Sequence, residues 1–114
     1  MRTVLARFRI KPGKEDLARE WMGFLADHLD EGNATLPDEG AHVETWFLNE
    51  EPDGLWSYVY TIVDDPDAQQ ERFQHSEHAI DAKHAEYMRQ CVDYHTFTEL
   101  TPAVALGDYS VFES

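Results

Sequence analysis

The sequence predicts an α+β domain in which helices cover one side of an antiparallel sheet. Four stretches alternate apolar and polar side chains with a period of two, as strands with two different faces do. Two longer stretches repeat apolar residues every three or four positions, which is typical of amphipathic helices. Their order along the chain is strand, helix, strand, strand, helix, strand.

The first strand and the first helix are predicted within residues 3–28. Residues 3–10 alternate, and the turn at residues 11–14 ends the strand because Pro12 fixes φ and Gly13 permits a sharp bend. A helix is expected over about residues 14–28, with an apolar stripe formed by Leu17, Trp21, Phe24, Leu25 and His28. We expect Gly32 to weaken this helix and residues 37–40 to end any continuation.

A hairpin is predicted next. Residues 42–48 form its first strand and residues 55–63 its second, and the polar loop 49–54 closes on Asp53-Gly54, a strong turn signal. A second helical region is expected over about residues 67–92, with a bend or break near 76–81 where Ser76 or Asp81 can cap. Residues 94–100 are predicted to form a fourth strand.

This order predicts a ferredoxin-like βαββαβ fold, with a four-stranded antiparallel sheet and both helices on one face. We expect one domain over residues 1–114, with 103–114 as a C-terminal extension that docks on the body or on a partner. The helices should cover the most apolar strand faces, which carry Val4, Ala6, Phe8, Val43, Phe47 and Val59. The open face should then carry Arg7, Arg9, His42, Glu44, Trp46, Trp56, Tyr58 and Tyr60. Two such aromatic faces packed together would form a homodimer.

Two short motifs carry a resemblance to a known family. They are Phe8-Arg9-Ile10-Lys11-Pro12-Gly13-Lys14-Glu15 after the first strand and His75-Ser76-Glu77-His78 in the second helical region. With the predicted topology, they resemble the dimeric α/β-barrel superfamily, and in particular its antibiotic-biosynthesis-monooxygenase-like branch. The segment Ser76-x-His78-x-Ile80-Asp81-x-x-His84 is more similar to short uncharacterised members of this superfamily, for which no activity is implied. Haem-degrading relatives use an asparagine on strand one, where this chain has Ala6 and Arg7.

The composition restricts the partners of the chain. Its 23 acidic and 9 basic residues give a formal charge of −14, which repels nucleic acid and anionic membranes. An acid-rich surface with only three lysines is typical of halophile proteins, whereas an ordinary acidic protein would respond little to molar salt. One cysteine excludes an internal disulfide framework, and neither a membrane-length apolar run nor a secretion signal is found. We expect a cytoplasmic protein.

The histidine-rich segment is the first candidate site. His78, Asp81 and His84 follow one another at steps of three, so on a continuous helix they span an arc of about 120°. They could act as catalytic acid–base groups beside a cavity, or bind a divalent metal. Alternatively, Asp81 caps a half-helix, His84 packs in the core and His78 bonds to backbone. No cofactor is required by the sequence.

The open face is the second candidate site. A small aromatic or anionic ligand could be held there by the guanidinium and the rings of Arg7, Trp46, Trp56, Tyr58 and Tyr60. Alternatively, Arg7–Glu99 or Arg9–Glu44 pairs satisfy charges across the dimer seam. The predicted function is small-molecule binding, with a monooxygenase-like reaction in a cavity between sheet and helices as its enzymatic form. The alternatives are a structural or binding homodimer without chemistry, and a metal-binding protein.

Overall fold

The structure is a computed structural model that describes residues 1–112. Its four antiparallel strands lie side by side in the order β2-β3-β1-β4. The strands are β1 (Arg2–Ile10), β2 (Ala41–Glu51), β3 (Gly54–Val63) and β4 (Val92–Leu100). The helices are α1 (Glu15–Asp27), α2 (Leu29–Glu39), α3 (Pro66–Gln74) and α4 (Ala79–Cys91), followed by a 3₁₀ turn at Tyr109–Phe112. The predicted ferredoxin-like α+β fold is confirmed.

The core lies between the sheet and the helices. Trp21 on α1 is fully buried, and its ring centroid lies 5.1 Å from that of Trp46 on β2. Phe8 on β1 lies 6.2 Å from the same Trp46 ring, in an edge-to-face arrangement that suits aromatic quadrupoles. The other buried members of this cluster are Ile10, Ala18, Leu55, Val59, Tyr87, Cys91 and Val92.

The second helical region divides as predicted. Asp65 caps α3 by accepting hydrogen bonds from the amides of Asp67 and Ala68, and Pro66 occupies the first turn, where no amide donor is needed. The chain breaks at residues 75–78 before α4 begins. The Ser76 hydroxyl organises this break, because it accepts from the His78 amide at 3.1 Å and donates to Asp81 at 2.5 Å.

The prediction placed the first helix over about residues 14–28 and allowed only a weakened continuation that ends at residues 37–40, whereas the structure has a separate helix, α2. The backbone breaks at His28 and resumes as a second helix that contains Pro37 and ends at Gly40, whose φ of 71° provides a left-handed cap. Helix α2 packs against α3, α4 and β2, and this tertiary packing outweighs the poor helix propensity of a segment that contains glycine and proline. A Cβ at Gly32 would lie 3.9 Å from Ile80 Cδ1, which is ordinary van der Waals contact, so the packing of α2 on α4 does not require glycine there.

The prediction of which side chains lie on the helix side of the sheet is correct for β1 and β3 and wrong for β2. Trp46 pairs with Val59 and Glu44 with Thr61, so both side chains lie on the helix side. Val43 and Phe47 lie on the open face, where Phe47 is 53% exposed. The prediction placed the more apolar set of alternating β2 residues on the helix side. In the structure Trp46 takes that side, because it packs between Trp21 and Phe8. Glu44 therefore cannot pair with Arg9 on the open face.

The C-terminal extension is only partly packed. The Phe112 ring lies 5.8 Å from the His42 ring, and the His42 imidazole is 2.8 Å from Asp64. Val104 and Leu106 remain 73% and 86% exposed. Over residues 1–112, no helix is both long enough and apolar enough to cross a membrane.

Candidate functional site

A cavity of about 280 Å³ lies among the four helices and strand β2. Most of its wall is apolar and is formed by residues that include Leu25, Leu36, Trp46, Phe73, Ile80 and Met88. Its ionisable lining groups are Glu39, Glu44, Asp81 and His84. The volume is near the lower limit of ordinary small-molecule pockets, and an apolar wall with a few polar groups is their usual lining.

His84 enters this cavity from α4 in a fixed protonation state. Its Nδ1 accepts a hydrogen bond from the indole N–H of Trp21 at 2.8 Å. The Trp46 and Phe73 rings stand at 5.3 and 5.7 Å from the imidazole. Burial lowers the pKa of His84 to about 4. The imidazole is therefore neutral at ordinary pH, and its remaining proton is on Nε2 because Nδ1 is an acceptor.

The carboxyl groups of Glu39 and Glu44 enter the cavity from α2 and β2. Glu44 Oε1 accepts from the Trp46 indole at 3.0 Å, and burial raises its pKa. Glu39 is only 6% exposed. Its pKa is raised to about 7, first by burial and then by the nearby charges of Glu44 and Asp81. These two carboxyls therefore favour the protonated form more than free glutamate does.

Asp81 lies at the first turn of α4 and is 8% exposed. It accepts the hydrogen bond of Ser76 at the break between α3 and α4, so its position is fixed by the same hydroxyl that organises the break. Two residues of the predicted histidine site, Asp81 and His84, thus line one cavity.

His78 is not part of this cavity. Its Nε2 lies 2.7 Å from Asp38 on α2, and this hydrogen bond is the main cause of its raised pKa. Over residues 1–112, no three His, Cys, Asp or Glu side chains form a group that could hold a metal ion. The metal site predicted at His78, Asp81 and His84 has no supporting geometry here and stays a prediction.

The open-face candidate is also only partly assembled. The Arg7 guanidinium lies 4.0 Å above the Trp56 ring and 5.6 Å from the Tyr58 ring. Arg7 lies 3.6 Å from Glu51, which also accepts a hydrogen bond from the Tyr58 hydroxyl and raises the Tyr58 pKa. The charge of Arg7 is thus already paired within the chain. Tyr60 shares this face, whereas Trp46 lies on the opposite one.

Sequence reasoning missed Glu39 and assigned Glu44 to the wrong face. The available signal was the alternation of Glu44 with Trp46, since a tryptophan on the helix side would bring Glu44 with it. Glu39 had no comparable signal, because its burial depends on α2, which the sequence allowed only as a weakened continuation of the first helix and did not predict as a separate one.

Comparisons with known proteins agree with this fold. The sequence model of DUF6176, a family of unknown function, matches residues 1–110. No curated protein matches the sequence.

The chain is similar to several solved structures. Rv0793 from Mycobacterium tuberculosis is 18% identical over 92% of this chain and 97% of that chain, with a TM-score of 0.53. An uncharacterised NIPSNAP domain protein from Burkholderia xenovorans is 15% identical over 95% of this chain and 100% of that chain, with a TM-score of 0.56. A putative antibiotic biosynthesis monooxygenase from Chloroflexus aurantiacus J-10-fl also matches, at 17% identity over 92% and 95% and a TM-score of 0.48. The predicted resemblance is confirmed for the fold, and at these identities the likeness does not extend to an activity.

Proposed function

The chain belongs to the DUF6176 family of unknown function, and we propose that it binds a small, largely apolar molecule in its cavity and exchanges a proton with it. The observation that carries this proposal is the convergence of three carboxyl groups and one neutral imidazole on a single apolar cavity. Ionisable groups whose pKa values are shifted within a cavity are typical of acid–base sites.

The roles follow from the protonation states. Glu39 has a pKa of about 7, so near neutral pH it can either donate or accept a proton. Glu44 is oriented by the Trp46 indole and is the second candidate acceptor. His84 is oriented by Trp21 and presents a donor at Nε2. Asp81 is the third carboxyl group in the cavity wall.

Ligand binding can be tested by isothermal calorimetry with a panel of apolar fragments. The test variant is Gly32→Leu, because a side chain at this half-buried position begins in ordinary contact with Ile80 and extends along the cavity wall. The control is Gly23→Leu on α1, where a Cβ meets nothing within 4 Å. We expect fragments to bind to the native and control proteins and not to Gly32→Leu. Absence of binding to the native protein, or equal binding to all three, would contradict the proposal.

A monooxygenase-like reaction is the narrower form of this proposal. Glu44 or Glu39 would remove a proton from a CH2 group of the bound molecule, and dioxygen would oxidise the resulting carbanion. One oxygen atom would form the C=O bond that replaces the two C–H bonds, and the other would leave as water with the two hydrogens, so that the bound molecule itself supplies the electrons. Oxygen uptake that depends on a fragment already shown to bind, and that is lost in Glu44→Gln, would support it. Binding without oxygen uptake would leave a binding protein as the function.

Self-association through the open sheet face is proposed as well. This face carries the half-buried Tyr58 and Tyr60 and the exposed Phe47, a broad aromatic surface of the kind that a second copy can cover. The Arg7–Glu51 pair beside these rings is satisfied within one chain, whereas Arg9 on the same face forms no ion pair within residues 1–112 and would need an acceptor from the second copy.

A further inference from the structure

The cavity has an acidic wall that no cation balances. Glu39, Glu44 and Asp81 all line it, and no lysine or arginine within residues 1–112 does. The single basic side chain in the wall is His84, which is neutral because burial lowers its pKa to about 4. Removing a carboxylate from water without a counter-charge is costly, so such a site favours either protonation or a positive partner.

The hydrogen bonds inside the cavity compensate these carboxyls unequally. Asp81 has the Ser76 hydroxyl and Glu44 has the Trp46 indole. Glu39, at 6% exposure, forms no ion pair within residues 1–112. The charges of Glu44 and Asp81 raise its pKa, whereas a hydrogen bond from the Gln69 side chain and the charge of His78 lower it. Glu39 is thus a buried acidic group at the cavity whose hydrogen-bond partner, the Gln69 amide, is neutral and does not balance a negative charge.

The surrounding wall suits an organic cation better than a metal ion. The indole of Trp46 and the ring of Phe73 both line the cavity, and aromatic faces attract ammonium groups. The remaining wall is largely aliphatic, which suits a hydrocarbon body. Among residues 1–112 the carboxyls and histidines form no metal-holding group.

We infer that the cavity binds a protonated amine on a small apolar body, with the ammonium placed at Glu39 and Glu44 and the body against Trp46, Phe73 and Ile80. This inference rests on the proposed function, because it names the ligand class of the same cavity. An anion of the same shape would be repelled, and a neutral analogue would leave the carboxyls unpaired.

The test uses calorimetry with matched probes at pH 8. Each series shares one phenylalkyl or alkyl body and ends in an amine, an alcohol or a carboxylate; 2-phenylethylamine, 2-phenylethanol and phenylacetate form one series. We expect the amine to bind at least about tenfold more tightly than the alcohol, since hydrogen bonds to charged groups are the stronger ones. The carboxylate should not bind.

The variant Glu39→Gln keeps the shape of the side chain and should reduce the amine–alcohol difference to about threefold or less. Glu31→Gln removes the same charge from an exposed position on the same helix and should retain the tenfold preference. Equal binding of alcohol and amine, or an unchanged preference in Glu39→Gln, would overturn the amine inference and leave the binding proposal standing. If no member of any series binds, while the fragment panel above also fails, the proposed function itself is wrong.

Discussion

The indole N–H of Trp21 donates a hydrogen bond to Nδ1 of His84 across 2.8 Å, and so joins α1 to α4 beneath the cavity. An indole can only donate, so the imidazole must accept. Nδ1 of His84 therefore carries no proton, and the protonated Nε2 is the nitrogen that faces the cavity.

Replacing Trp21 by phenylalanine should remove the hydrogen bond that fixes the tautomer of His84. The bond and part of the packed volume are lost, so we expect the free energy of unfolding to fall by about 1–3 kcal/mol. In ¹⁵N NMR spectra, the native His84 should show an unprotonated Nδ1 and a protonated Nε2, and Trp21→Phe should shift this equilibrium. Trp56→Phe removes an indole bonded to Asp53 on the other side of the sheet and serves as the control. Identical His84 spectra in all three proteins would contradict the assignment.

Glu39 should make the protein less stable as the pH rises. Its pKa is raised from 4.5 to about 7 in the folded protein, so the folded state holds a proton that the unfolded chain has released. Its contribution to stability is complete below about pH 4.5 and is lost as the pH rises through 7. We expect Glu39→Gln to be more stable than the native protein at pH 8, by about 1 kcal/mol once screening by water in the cavity is allowed for.

Urea unfolding of both proteins at pH 4.5 and pH 8 measures this effect. Near pH 4.5 the two free energies of unfolding should nearly coincide, because Glu39 is then protonated in the folded protein. Glu31→Gln, at an exposed position of the same helix, controls for the loss of one charge. An equal difference between the two proteins at both pH values would show that the pKa of Glu39 is not raised by folding, and a Glu39→Gln protein that is less stable than the native one mainly at pH 8 would show that the carboxylate is stabilising.

The sequence predicted the parts of the fold that depend on local pattern. Alternation assigned β1 and β3 to the correct faces, and the Asp-Asp-Pro and Ser76 signals located the start of α3 and the break before α4. The phase of β2 was wrong because Trp46 and Phe47 are neighbours, and both alternations place one aromatic side chain on the helix side. Packing against Trp21 decides between them, and that contact cannot be read from β2 alone.

The dependence on tertiary packing also decided which residues of the candidate site could be identified from the sequence. His84 and Asp81 were identified because they lie in one conspicuous segment. Glu39 and Glu44 become site residues only when α2 folds back over β2, which depends on tertiary burial of a segment containing glycine and proline. A residue pattern reports which chemistry a segment can supply, and here the packing of α2 decided which carboxyls meet His84.

The open sheet face should mediate dimerisation. Phe47→Glu places a charge on that face without entering the core, since Phe47 is 53% exposed. We expect light scattering at tens of micromolar protein and high salt to give a dimer for the native chain and a monomer for this variant. Val111→Glu, at a 72% exposed position of the extension, should remain dimeric. A monomeric native protein under these conditions would rule out the pairing.

Salt should stabilise this protein more than a charge-balanced one. The formal charge of −14 on 114 residues creates repulsion within the folded chain, and the screening length shrinks from about 10 Å at 0.1 M salt to about 3 Å at 1 M. The free energy of unfolding should therefore rise steeply with KCl up to about 1 M and more slowly beyond it.

The triple variant Asp27→Asn, Asp30→Asn, Glu31→Gln removes three exposed charges near the junction of α1 and α2. If repulsion is the cause, this variant is more stable than the native protein in low salt and has a smaller salt slope. A native protein whose stability is flat in KCl would identify it as an ordinary acidic protein. An equal slope in both proteins would instead assign the salt effect to preferential exclusion from apolar surface, because that effect does not depend on these charges.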